Sequence, residues 1–208
     1  MKPKYISVVG GGRCGPAEYA LAEEVGRLVA REGAALVCGG LAGIMEAAAR
    51  GAREAGGTTI GVLPGHDRGI ANPYIEHVVT TGMGHARNLA VVSSGDAVIA
   101  IGGGYGTLSE IGLAAKIGRP VVILGGWRLM NDEWSEGVRY AESAQEALAL
   151  VREALAYRQA GEGPAQPLAP SAPASAPSAP AQSSARVGKP TRGPAREPTR
   201  GPSREPAT

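Results

Sequence analysis

The sequence contains no phenylalanine, two tryptophans, six tyrosines and only two cysteines among its 208 residues. The cysteines, Cys14 and Cys38, form no CxxC pair, which excludes a disulfide framework and a cysteine-based zinc site. The three histidines have neither HxxxH nor HExxH spacing. We therefore predict that the protein has no metal site.

Long hydrophobic runs are also missing. No apolar segment approaches the ~18 residues that a membrane-spanning helix needs. The N-terminal residues pass directly into a strand pattern without the features of a signal peptide. We therefore expect a cytoplasmic protein that has no membrane partner.

The last 48 residues differ in composition from the rest of the chain. Residues 161–208 hold eleven of the sixteen prolines, no aromatic residue, and two copies of an octad, TRGPAREP and TRGPSREP. Such a segment buries too little apolar surface to offset its ordering entropy. We therefore predict one folded domain over residues 1–160 and a disordered tail over residues 161–208.

The net positive charge of the chain comes from this tail. The whole chain carries +2 and the tail carries +3, so the folded part carries about −1. The folded part shows no basic face interleaved with aromatic residues, and no specific nucleic-acid partner is expected. The tail is interpreted as a solubilising or tethering extension, with weak contact to polyanions as the alternative.

Short apolar runs alternate with amphipathic helical segments along the folded part. The predicted strands cover residues 5–9, 34–38, 58–63, 76–80, 97–101 and 120–124, and the last predicted helix covers residues 143–159. This alternation is typical of a parallel sheet covered on both faces. The predicted fold class is α/β, a single Rossmann-like, doubly wound domain with a mostly parallel sheet.

The segment AVIAIGGGYGTLSE, residues 97–110, has the clearest functional pattern. A buried strand leads into a glycine-rich turn and then into a helix, an arrangement that suits a phosphate. The predicted phosphate contacts come from the turn, with Thr107 as an N-cap or a phosphate-facing hydroxyl. Glu110 follows about one helical turn later, so an acid is expected beside the phosphate. The predicted contact residues of this turn are Gly103, Gly104, Tyr105, Gly106 and Thr107.

A second glycine-rich turn, GGGRCG at residues 10–15, formally fits the GxGxxG pattern of dinucleotide-binding proteins. Those proteins also need an acid at the end of the second strand to hold the ribose hydroxyls. Here the second strand ends in Gly39 and Gly40, which argues against an NAD site. A phosphate or nucleotide contact from Gly11, Gly12 and Arg13 remains the prediction.

Arg87 opens a predicted helix, where the helix dipole disfavours a cation. Two interpretations stay open at this point. The arginine is either a surface or carboxylate-paired residue, or its guanidinium binds phosphate or substrate oxygens.

Three motifs together resemble the LONELY GUY (LOG) family and its wider Rossmann-like relatives. They are GGLAGIME (39–46), HARN (85–88) and GGYGTLSE (103–110), and the match covers residues 5–155. The resemblance implies a phosphoribohydrolase that cleaves nucleoside 5′-monophosphates, with Arg87 and Glu110 as catalytic residues. It also implies a homo-oligomer, a dimer or a tetramer, and further ligand contacts from Gly39, Gly40, Gly43 and Met45.

The chain departs from the family pattern at three positions. Gly102 replaces a proline, Ser109 replaces the first of two acids, and Asn88 replaces a lysine. Similar divergence occurs in relatives that resemble molybdenum-cofactor carriers, which bind a phosphate-bearing pterin without hydrolysing a nucleotide. The sequence therefore indicates a small phosphorylated ligand and leaves two functions open, a nucleotide hydrolase and a carrier or sensor.

Some relatives carry the label lysine decarboxylase, which would require pyridoxal phosphate on a lysine. Lys2, Lys4 and Lys189 lie near the termini, and Lys116 lies well beyond the glycine-rich turn. This function is not supported, and no cofactor is predicted.

Overall fold

The structure, a computed structural model, describes residues 4–130 and 137–160. Within these residues, seven strands form one sheet in the order β4-β3-β2-β1-β5-β6-β7, and every neighbouring pair is parallel. The strands are β1 (Tyr5–Gly10), β2 (Ala35–Cys38), β3 (Thr59–Leu63), β4 (His77–Thr80), β5 (Ala97–Ile101), β6 (Val121–Leu124) and β7 (Val138–Ala141). The α-helices are α1 (Pro16–Arg31), α2 (Ile44–Glu54), α3 (Arg87–Ser94), α4 (Tyr105–Lys116) and α5 (Ala144–Gln159).

Helices cover both faces of the sheet, as the apolar strands require. On one face α1, α2 and α5 pack against side chains such as Val8 and Ile99. On the other face α3 and α4 pack against side chains such as Val98 and Ile123. All five residues of β5 are buried, because this strand has neighbours on both sides and helices on both faces. The predicted Rossmann-like α/β fold is confirmed.

The helices α1 and α2 approach each other closely through two glycines. A Cβ atom on Gly26 of α1 would lie 1.9 Å from the carbonyl oxygen of Ala48 in α2. A Cβ atom on Gly51 of α2 would lie 1.9 Å from the carbonyl oxygen of Glu23. These backbones therefore touch without intervening side chains, which brings the two helices together over β1 and β2.

The structure adds one strand that the sequence pattern does not reveal. The strand β7 has only four residues, VRYA, and its exposed Arg139 interrupts the apolar run, so it gives a weak sequence signal. All six predicted strands are found, with ends that differ by at most one residue. The predicted last helix is confirmed as α5, with Ser143 as its N-cap residue.

No helix in the described ranges is long and apolar enough to cross a membrane. The predicted tail, residues 161–208, lies outside the described residues.

Candidate functional site

The candidate site lies at the carboxyl ends of β1 and β5, the point where the strand order reverses. From β1 the chain builds the sheet outward to β4, and from β5 it builds outward to β7. The loops that follow these two central strands therefore leave a crevice between them, which is where ligands bind in open α/β folds.

Two glycine turns meet in this crevice. Gly103 has φ +84°, and a Cβ atom there would lie 2.1 Å from Oγ1 of Thr107 and 3.1 Å from the backbone nitrogen of Gly11. Only glycine therefore fits between α4 and the loop after β1. We call the group formed by Gly11, Gly103, Gly104, Gly106 and Thr107 the glycine cradle.

The N-terminus of α4 faces open space in the glycine cradle. Its N-cap residue is Gly104, which has no side chain to cap it. Of the two roles predicted for Thr107, that of the N-cap is wrong, because the helix begins at Tyr105 and buries Thr107 in its first turn. Within the described part of the chain, a Cβ atom on Gly104 or Gly106 would meet no atom within 4 Å beyond neighbouring residues. The first amides of a helix lack carbonyl partners in that helix, so they suit an incoming anion.

The loop after β2 supports the loop after β1. The amide of Ile44 donates to the carbonyl oxygen of Gly11 at 3.0 Å, which fixes the start of α2 against the glycine cradle. Gly43 has φ +69°, and a Cβ atom there would lie 2.4 Å from the same oxygen. Gly12 lies near the methyl group of Met45, and Arg13 is exposed on the same loop.

Arg87 and Glu110 form a buried pair beside the glycine cradle. Arg87 is the first residue of α3 and Glu110 lies in the middle of α4; they are only 7% and 6% exposed. Nη1 of Arg87 is 3.8 Å from Oε1 of Glu110, too far for a hydrogen bond. Nε of Arg87 has no hydrogen-bond partner in the described residues. Both groups therefore keep unused hydrogen-bonding capacity in a nearly dry environment.

Burial dominates the protonation of this pair. It raises the pKa of Glu110 to about 7, although the positive charge of Arg87 acts in the opposite direction. It lowers the pKa of the Arg87 guanidinium, which the charge of Glu110 opposes. The Arg87 charge is too distant and too poorly hydrogen-bonded to Glu110 to compensate fully for the lost water. Glu110 therefore changes charge close to neutral pH.

Gly39, at the end of β2, makes room for the guanidinium. A Cβ atom on Gly39 would lie 2.6 Å from Nη2 of Arg87 and 2.6 Å from the sulfur of Met45. Cys38 lies behind this contact, and burial raises the pKa of its thiol to about 11. Cys38 therefore contributes an uncharged thiol beside Arg87 at neutral pH.

Two of the three departures from the family pattern touch each other. Nη1 of Arg87 donates to Oδ1 of Asn88 at 3.1 Å, and the Asn88 amide lies 3.5 Å from Oγ of Ser109. The Ser109 hydroxyl donates to the carbonyl oxygen of Gly106 at 2.6 Å. These contacts between neutral side chains connect the Arg87 guanidinium to the glycine cradle.

The structure brings most of the predicted site residues together in two adjoining groups. One is the glycine cradle with Gly43, and the other contains Arg87, Glu110, Gly39 and Met45. Gly40 lies apart, because it packs against Leu63 and Gly61 of β3. Arg13 and Tyr105 are exposed.

Metal ligands are not grouped in this part of the molecule. In residues 4–130 and 137–160 no three histidine, cysteine, aspartate or glutamate side chains lie close enough to hold a metal ion.

A separate cavity of about 360 Å³ lies at the amino-terminal edge of β6 and β7. Two of the arginines that line it donate to backbone carbonyl groups, Arg119 to Ser93 and Arg158 to Gly118. These cations are used within the fold, and the residues suited to ligand chemistry lie at the opposite edge of the sheet.

The order and geometry of these residues agree with a known family. The model of the SLOG cluster4 family matches residues 3–155. The chain belongs to this family. The match covers both glycine turns, the Arg87–Glu110 pair and all five helices to Leu155.

Relatives of this SLOG cluster4 protein include one matched over nearly its whole length. An uncharacterized protein from Archaeoglobus fulgidus is 42% identical over 150 residues, which are 69% of this chain and 98% of the relative. A cytokinin riboside 5′-monophosphate phosphoribohydrolase from Rhodococcoides fascians is 34% identical over 119 residues, 52% of this chain. The match spans 58% of that hydrolase. The resemblance to the LOG family is confirmed.

The solved structures point to the divergent branch. The molybdenum cofactor binding protein from Rippkaea orientalis superposes with a TM-score of 0.69 at 37% sequence identity. The superposition covers 74% of this chain and 98% of that protein. This SLOG cluster4 chain is thus similar to a phosphoribohydrolase and, over a larger share of the relative, to a cofactor-binding protein.

The sequence pattern does not reveal Trp127 as a neighbour of the glycine cradle. It follows Gly125 and Gly126 after β6, and its indole Nε1 donates to the carbonyl oxygen of Gly103 at 3.1 Å. The sequence held one signal, a tryptophan directly after a strand and two glycines in a chain with few aromatic residues. The contact itself depends on β5 and β6 being neighbours in the sheet.

Proposed function

We propose that this protein binds a nucleoside 5′-monophosphate in the crevice and cleaves its N-glycosidic bond. The observation that carries the proposal is the buried Arg87–Glu110 pair next to the glycine cradle. The proposed reaction adds water across the bond between C1′ and the base nitrogen. The products are ribose 5-phosphate, which takes the hydroxyl group, and the free base, which takes the proton.

The glycine cradle suits the 5′-phosphate. Its open side and the uncapped N-terminus of α4 favour an anion through backbone amides and the helix dipole. The exposed Arg13 is close in sequence to Gly11 and supplies a cation on the same loop. The resulting prediction is that phosphorylated sugars bind more tightly than the corresponding nucleosides.

Glu110 suits the charge that develops on the ribose ring. Breaking an N-glycosidic bond makes C1′ positive, and an ionised carboxylate in a dry site stabilises that charge strongly. Arg87 has two proposed roles. Its charge favours the ionised form of Glu110, and its Nε, which has no partner among the described residues, can donate to a ligand oxygen. Asn88 and Ser109 are proposed to hold this guanidinium in place.

The test is an assay of the purified protein with AMP, GMP, CMP and UMP, which measures free base and ribose 5-phosphate. We expect base release from at least one of them, and Glu110→Gln should lower the rate at least about 100-fold. The control is Glu54→Gln, at the far end of α2, which should keep the native rate. Folded protein that releases no base from any of the four contradicts the proposed hydrolysis.

A second candidate function is the binding and carriage of a molybdopterin-type ligand. It is favoured by the likeness to the cofactor-binding protein over 98% of that protein's length. The neutral Asn88–Ser109 contact also supports it, since it lacks the charges of the family pattern. A carrier should retain its ligand when Glu110 is replaced by glutamine. Pterin fluorescence and molybdenum content of the purified native and Glu110→Gln proteins measure this retention.

The resemblance to the LOG family also leads us to propose a homo-oligomer, a dimer or a tetramer. Light scattering on the purified full-length chain measures its mass directly. A mass of 21.0 kDa would show a monomer and contradict this proposal.

A further inference from the structure

Two aromatic side chains stand together at the edge of the glycine cradle. Tyr105, the first residue of α4, is 85% exposed. Its ring centroid is 6.0 Å from that of Trp127, and the two planes are inclined by 43°. The apolar surface of this tyrosine ring is therefore exposed to water, in a chain that has few aromatic residues.

Trp127 is held in place from two sides. Its indole Nε1 donates to the carbonyl oxygen of Gly103 at 3.1 Å. The preceding Gly126 has φ +81°, and a Cβ atom on it would lie 2.8 Å from the Cα atom of Gly102. The loop after β6 is therefore locked onto the glycine turn after β5. This fixes the indole next to the backbone that forms the glycine cradle.

The tilt of the Tyr105 side chain also places it near the glycine cradle. Side chains of a helix tilt towards its N-terminus and cover the preceding turn. The Tyr105 side chain therefore lies over the end of α4 at which Gly103 and Gly104 are found, and its contact with Trp127 agrees with this direction.

We propose that Tyr105 and Trp127 form a stacking subsite for the planar heteroaromatic ring of the ligand whose phosphate occupies the glycine cradle. The proposal deepens the proposed function and rests on it, because the phosphate places the ring. The subsite takes a purine or a pterin, since both have an extended flat π-face. Tyr105 presents the exposed face, and Trp127 supports it from the side.

The subsite makes a selective contribution to binding. Stacking of a base on an aromatic side chain is worth about 1–3 kcal/mol, which corresponds to roughly five- to 150-fold in affinity. A sugar phosphate without a ring gains nothing from it. Affinity for the ring-bearing ligand should therefore fall when the aromatic face is removed, while affinity for the sugar phosphate stays the same.

The experiment measures the dissociation constants of AMP, neopterin monophosphate and ribose 5-phosphate by isothermal titration calorimetry. All proteins carry Glu110→Gln, so that AMP is not consumed during the titration. The variants are Tyr105→Ala, Tyr105→Phe and, as a matched control, Tyr157→Ala, which removes a half-exposed tyrosine from α5. Circular dichroism checks that each variant is folded.

We expect Tyr105→Ala to weaken the binding of AMP or neopterin monophosphate about tenfold. The affinity for ribose 5-phosphate should change less than twofold. Tyr105→Phe keeps the ring and should restore the affinity, and Tyr157→Ala should have no effect. An equal change for all three ligands, or no change, overturns the stacking subsite and leaves the phosphate site standing. If none of the three ligands binds the parent protein, the proposed function and this inference fall together.

Discussion

Arg87 and Glu110 are buried at 3.8 Å from each other without a hydrogen bond between them. A structural ion pair at such burial usually gains direct hydrogen bonds, because the loss of water is otherwise uncompensated. The side-chain hydrogen bond from this guanidinium goes to the neutral Asn88. At the scale of single residues, the pair thus keeps hydrogen-bonding capacity for a ligand at a cost in stability.

The stability lost by burying the Arg87–Glu110 pair should depend on pH. The pKa of Glu110 is raised by burial to about 7, from about 4.3 in an unfolded chain. The native state therefore binds more protons between these values, and the stabilisation present at low pH is lost as the pH rises through 7. Glu110→Gln does not titrate. We expect the free energy of unfolding of this variant, minus that of the native protein, to increase from pH 5 to pH 8.

Urea denaturation at pH 5, 6, 7 and 8 measures this difference, whose slope is at most about 1.4 kcal/mol per pH unit. Glu54→Gln is the matched control. Its partner Arg50 lowers the pKa of Glu54 by a hydrogen bond, so its titration lies below this pH range. A difference for Glu110→Gln that stays constant between pH 5 and pH 8 would contradict the raised pKa.

At the scale of elements, glycines decide how closely helices and loops approach. The contact between α1 and α2 leaves no space for a Cβ atom on Gly26, which would lie 1.9 Å from a carbonyl oxygen of α2. Gly112 of α4 is the opposite case, because a Cβ atom there would meet no atom of the described residues within 4 Å and the residue is exposed. The same substitution should therefore have opposite effects at these two helical positions.

Gly26→Ala should lower the free energy of unfolding by about 3 kcal/mol, because the helices must move apart. Gly112→Ala should raise it by up to about 1 kcal/mol, because alanine favours the helix more than glycine does. Urea denaturation of both variants beside the native protein tests this pair. Equal effects, or stabilisation by Gly26→Ala, would show that the helices are not in backbone contact.

At the scale of the whole molecule, the parallel sheet concentrates the candidate chemistry at one edge. The carboxyl ends of β1, β2, β5 and β6 carry the glycine turns, and α3 brings Arg87 to the same place. The candidate site residues all lie between Gly11 and Trp127 of the sequence. The division of the chain into a domain and a tail remains a prediction from composition.

Truncation after Ala160 tests this division. We expect the free energy of unfolding to change by less than about 1 kcal/mol, because the composition of the removed segment offers little apolar surface for burial. The net charge falls from +2 to −1, so the truncated protein should bind a cation-exchange column less well. Base release from nucleoside monophosphates should keep its rate. Loss of cooperative urea unfolding after truncation would place the domain boundary further along the chain.

Local patterns in the sequence were sufficient for the α/β fold and for the two central glycine turns. Apolar runs followed by glycines and helices are readable without tertiary information, because strand burial and turn geometry leave their mark on neighbouring residues. The motif order also identified Arg87 and Glu110. The pattern did not reveal β7, whose four residues include an exposed arginine.

The sequence alone therefore determined the fold class, the two central glycine turns and the family. The tertiary structure decided which residues lie close together: Arg87 and Glu110, Asn88 and Ser109, and Tyr105 and Trp127. These pairs join residues from different elements, and their distances depend on strand order and helix packing. The pKa of Glu110 also depends on the tertiary structure, because it is raised by burial of the side chain in the assembled fold.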